Sequence, residues 1–73
     1  MEKSIFTREH KAVVERLVKA RKEAGLNQEE VAKALGKTQS YISKIESGQR
    51  RLDVVQLKEL AEVYRKRIDY FIR

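Results

Sequence analysis

Asn27-Gln28-Glu29-Glu30-Val31-Ala32-Lys33-Ala34-Leu35-Gly36-Lys37-Thr38-Gln39-Ser40-Tyr41-Ile42-Ser43-Lys44-Ile45-Glu46-Ser47-Gly48 holds two short helices and the turn between them. Asn27 is a strong N-cap, and Glu30, three residues on, can return a hydrogen bond to it. Val31, Ala32 and Leu35 give an apolar stripe of about two turns, which Gly36 ends. Thr38 caps a second helix expected over residues 39–47, with Ile42 and Ile45 buried at i, i+3 and Gly48 as its stop. A short Gly-containing turn sets consecutive helices at roughly 90–120°, so the second of the pair projects from the domain.

The flanks continue the helical period. Val13, Val14, Leu17, Val18, Ala20 and Ala24 define an earlier helix between residues 7 and 24, closed by Arg21, Lys22 and Gly25. Asp53 and Gln56 offer a second capping pair, ahead of a stripe formed by Val54, Leu57, Leu60, Ala61 and Tyr64. A final turn carries Ile68, Tyr70, Phe71 and Ile72. No segment alternates long enough to make a strand. The expectation is an all-α domain of five helices spanning residues 1–73, with the helix-turn-helix at about 28–47.

Composition narrows the function. Seventeen Lys and Arg against eleven Asp and Glu leave a net charge of +6 and a pI near 9.8, which favours polyanionic partners. No run of about 18 apolar residues could span a bilayer. The start, Met1-Glu2-Lys3-Ser4-Ile5-Phe6, lacks the basic flank and apolar core of a signal peptide. A cytoplasmic protein with no membrane partner is expected. Cysteine is absent and His10 is the single histidine, so no metal cluster, disulfide or cysteine nucleophile is expected. There is no Ser-His-Asp set, no carboxylate pair on one apolar face and no phosphate-cradling glycine loop. No catalytic residue, metal or cofactor is assigned, and the chain is not expected to be an enzyme.

The second helix of the quoted pair carries the functional signal. Apart from Ile42, Ile45 and part of Tyr41, it consists of Gln39, Ser40, Ser43, Lys44, Glu46 and Ser47. Gln, Ser and Lys can read base edges in the major groove; Gln suits adenine and Lys suits guanine. The bland alternative is a solvated helix face.

Residues 28–48 resemble the lambda-repressor-like helix-turn-helix family, the Cro and Xre group, most tellingly at Gln28, Ala32, Gly36, Ile42, Ile45, Glu46 and Gly48. The likeness runs from about Val14 to Tyr64. Two positions depart from the pattern: Lys37, where many members carry an apolar residue, and Leu52, where a proline is common. The resemblance implies a sequence-specific transcription regulator on double-stranded DNA, with Gln28 on a phosphate at a helix N-terminus. It further implies that Gln39, Ser40 and Lys44 face the groove, flanked by Tyr41 and Ser43, and Thr38 is counted with the DNA-binding residues. Tyr41 itself is either core or DNA-facing; the expectation is the edge of the interface, with its ring packed and its hydroxyl on a phosphate. Arg50 and Arg51 would lie along the backbone, and Lys37, although it departs from the pattern, makes the turn more basic and is expected to contact phosphate as well. Arg21 and Glu46 would form a structural ion pair tying the first helix to the third. Short members of the group include restriction–modification controllers, phage repressors and antitoxins.

A domain of this length has a thin stability margin, which a partner subunit can supplement. Residues 65–73 are expected to form a homodimer interface through Ile68, Tyr70, Phe71 and Ile72, placing two copies on a palindromic operator. The competing reading is a protein-interaction module, antitoxin-like, whose main surface binds a partner protein.

Overall fold

The computed structural model describes residues 8–72, and its five helices run α1 (Arg8–Glu23), α2 (Gln28–Leu35), α3 (Gln39–Glu46), α4 (Val54–Tyr64) and α5 (Asp69–Ile72). Among the described residues there is no strand. Thr7, the Met1–Phe6 start and Arg73 lie outside the described residues. The architecture is all-α.

Each boundary has a local cause. Asn27 Oδ1 accepts the Glu30 backbone N–H at 2.8 Å while Glu30 Oε1 accepts that of Asn27 at 2.8 Å, a complete capping box. Asp53 and Gln56 repeat it for α4 at 2.7 and 2.9 Å. Thr38 Oγ1 accepts the Tyr41 N–H at 3.1 Å to start α3. Gly36 ends α2 at φ 69°, and its neighbour Lys37 donates to the Ala32 carbonyl at 2.8 Å. That left-handed geometry, unfavourable for residues with a Cβ, satisfies carbonyls that the helix end would otherwise orphan. The same closure ends α4 without glycine: Arg65 sits at φ 60°, and Lys66 donates to the Ala61 carbonyl at 2.9 Å.

One core unites the helices. Leu17 and Ala20 of α1, Val31 and Ala32 of α2, Ile42 and Ile45 of α3, Leu57, Leu60, Ala61 and Tyr64 of α4, and Phe71 of α5 are all buried in it. Helix α2 packs on α3 and α4, while α1 supports α3, α4 and α5 from the other side. The side of α3 that the core leaves free is therefore held from behind by two helices, α1 and α2. Two expected apolar roles differ. Val54 is 67% exposed, because the first turn of α4 overhangs the core that Leu57 enters. Phe71 is fully buried, since α5 docks onto α1 and Arg16 Nη1 donates to the Phe71 carbonyl at 3.1 Å. Phe71 is thus a core residue with no surface left for a mate. Ile68 and Tyr70 are half-buried, and Ile72 is 56% exposed.

Candidate nucleic-acid interface

Helix α3 is divided lengthwise. Ile42 and Ile45 face the core, whereas Gln39, Ser40 and Lys44 are exposed and Tyr41 and Ser43 are half-buried beside them. The turn residues Lys37 and Thr38 are exposed at its N-terminal end, and Arg50 and Arg51 are exposed in the loop that follows it. Polar and cationic groups from two loops and one helix thus share a surface that presents no carboxylate on α3 except Glu46.

Glu46 is turned away into the protein. Its Oε2 accepts Arg21 Nε at 2.7 Å and its Oε1 accepts Arg21 Nη2 at 3.1 Å, a bidentate pair with only 12% and 8% of the two side chains exposed. Arg21 Nη1 also donates to the Leu26 carbonyl at 2.9 Å, so one guanidinium ties the end of α1 both to the loop before α2 and to the end of α3. The hydrogen bond to Glu46 raises the Arg21 pKa above its ordinary value against the opposing effect of burial, so the guanidinium stays charged. Nearby, burial chiefly, and then the Glu46 charge, push the Tyr64 phenol upward.

The pair continues outward as a relay. Gln28 Nε2 donates to Glu46 Oε1 at 2.8 Å, and Gln28 Oε1 accepts from Gln39 Nε2. Gln28, half-buried at the start of α2, therefore has both ends of its amide engaged, and it fixes the orientation of Gln39. Exposed and held in this way, Gln39 keeps its Oε1 and its second amide hydrogen uncommitted to the protein. That is an acceptor and a donor side by side, the pattern complementary to adenine N6 and N7.

Tyr41 anchors the other flank. Its ring carries Lys37 Nζ at 5.3 Å and the Arg50 guanidinium at 4.6 Å from the centroid. Its hydroxyl accepts Gln56 Nε2 at 3.0 Å instead of pointing freely outward. Sequence reasoning recognised Gln56 as part of a capping box but missed this second role. The signal was the amide N–H₂ that a capping box leaves unused. Lys44, Ser40, Ser43 and Arg51 enter none of these networks. Among the described residues no group of His, Asp or Glu is arranged to hold a metal, and no helix is long and apolar enough to cross a membrane.

Residues 17–71, most of the chain, match the family model described as helix-turn-helix. No curated protein matches the chain. A polar helix on a Gly-containing turn, a basic rim and a family match running from within α1 into α5 agree: the chain belongs to the lambda-repressor-like, Cro-type helix-turn-helix family of DNA-binding regulators.

Proposed function

We propose that the protein acts as a homodimer that binds a palindromic operator and regulates transcription in the cytoplasm. Two copies of α3 enter successive major grooves, with half-sites about 34 Å apart, one DNA turn. Gln39, Ser40 and Lys44 read bases, while Gln28, Lys37, Arg50 and Arg51 position the backbone and Thr38, Tyr41 and Ser43 line the edge. The observation that carries this reading is the Gln39–Gln28–Glu46–Arg21 relay, which orders an exposed base-reading amide before any ligand arrives. Ordering in advance lowers the entropy lost on binding. The proposed dimer contact uses exposed Ile72 with half-buried Ile68 and Tyr70.

The test is selection of bound duplexes from a random library at physiological salt. Enrichment of a palindrome with half-sites one turn apart supports the reading. Roughly six cation–phosphate contacts per dimer should then give a log–log salt slope of about −5. Relaxed preference at one base pair in Lys44→Ala would assign that contact. A folded protein that enriches nothing sinks the operator reading and favours a protein partner, whose binding through an apolar surface would respond little to salt.

A further inference from the structure

Three segments meet on the Tyr41 ring: the turn before α3 through Lys37, the loop after α3 through Arg50, and the first turn of α4 through Gln56. Gln56 itself is held, because its Oε1 accepts the Asp53 N–H at 2.9 Å in the capping box while its Nε2 donates to the tyrosine hydroxyl at 3.0 Å. The ring is therefore held by cations over its face and by an amide at its hydroxyl. Neither cation has an anionic partner among the described residues, where the ion pairs are Arg21–Glu46 and Lys66–Glu23. Asp53, the carboxylate at this corner, has Oδ1 engaged by the Gln56 N–H at 2.7 Å. The N-terminal turns of α3 and α4 add the positive ends of their helix dipoles.

Two like charges gathered on one ring, neither of them in an ion pair among the described residues, form a corner complementary to an anion. We propose that Lys37, Tyr41, Arg50 and Gln56 work as one clamp for DNA backbone phosphate, in which Tyr41 and Gln56 are positioning residues for the two cations. This rests on the DNA-binding reading and adds to it a coupling between residues. A cation resting on the ring has already lost much of its side-chain freedom, so contact with phosphate costs less entropy. The phosphate affinity of Lys37 and Arg50 then depends on Tyr41, although Tyr41 contributes no charge of its own.

The experiment measures binding of the full chain to a duplex carrying the selected site, and to a scrambled duplex of equal length, by fluorescence anisotropy between 50 and 300 mM salt. Arg50→Ala should lower the salt slope by about 0.9 per protomer. Tyr41→Leu should weaken binding roughly 2- to 5-fold for each cation it releases. The decisive comparison is the double variant: Arg50→Ala should cost roughly 2- to 5-fold less in the Tyr41→Leu background than in the wild type. In the wild-type, DNA-free protein, the Arg50 δ-methylene and Lys37 ε-methylene proton resonances should carry a ring-current shift that Tyr41→Leu removes, which checks that both cations rest on the ring before DNA arrives; the coupling in the double variant separates positioning from a merely structural role. Should Tyr41→Leu fail to fold, Gln56→Met, which removes the hydroxyl's partner, is compared in the same cycle. Independent, multiplicative losses in a protein that binds both duplexes overturn the clamp and leave the DNA reading standing. A wild type that binds neither duplex overturns both.

Discussion

Cutting the Arg21–Glu46 pair should be among the most damaging polar changes available to this fold, and a double-mutant cycle can show why. The side chains are 12% and 8% exposed and share two hydrogen bonds, at 2.7 and 3.1 Å. In Arg21→Met, Glu46 keeps only the Gln28 amide as partner; in Glu46→Leu, Arg21 keeps only the Leu26 carbonyl. Each leaves a nearly buried charge uncompensated, which costs about 3–5 kcal/mol. For 73 residues the whole stability is roughly 4–11 kcal/mol, so either variant could lose much of it. The double variant Arg21→Met/Glu46→Leu buries no charge. Its expected loss is about 1–3 kcal/mol, from the Leu26 carbonyl and Gln28 amide left without their partners. The coupling between the two sites should therefore reach about 3 kcal/mol or more. Urea unfolding followed by far-UV circular dichroism measures it, with trimethylamine oxide added where a single variant is marginal. Because the pair is shielded from solvent, 1 M salt should change the coupling little. Single-variant losses under about 1 kcal/mol, or additivity, would place the pair with exposed ion pairs and refute the argument.

The Tyr64 phenol is raised by burial, so the unfolded chain releases its proton first, near pH 10. Stability is then fully present below pH 10 and falls as pH rises toward the folded-state value, by up to about 1.4 kcal/mol per pH unit, and Tyr64→Phe should flatten that part of a stability–pH profile measured by urea titration. Arg65→Gly should raise stability by roughly 1 kcal/mol, since φ 60° strains a residue with a Cβ, whereas Gly36→Ala at φ 69° should lower it by a similar amount; thermal melts of both variants check the pair of signs. Phe71→Ala should cost about 3–5 kcal/mol in the same urea assay, since the ring is fully buried. Ile72→Asp should leave the fold intact and shift sedimentation to the monomer, and a persisting dimer would move the interface away from α5.

Residue type and spacing alone mark the helices and most of their ends. Caps, capping boxes and the closures at Gly25, Gly36 and Gly48 are decided within a few residues, by hydrogen bonds to adjacent backbone and by tolerance of positive φ. The buried pairs Ile42 and Ile45, or Leu57 and Leu60, follow equally from helical period. Other features waited on tertiary structure, because they depend on where separate helices lie. Periodicity marked the last turn as apolar but could not say that Phe71 would be sealed against α1 while Ile72 stayed outside. Arg65 takes a left-handed closure that its residue type does not announce; α4 ends where its buried face ends at Tyr64 and the chain must turn back. The gathering of Lys37 and Arg50 on Tyr41, and the capture of its hydroxyl by Gln56 fifteen positions away, need the fixed approach of α3 and α4. Local energies write the helices into the chain, while side-chain partners across helices exist only once packing has set the distances between them.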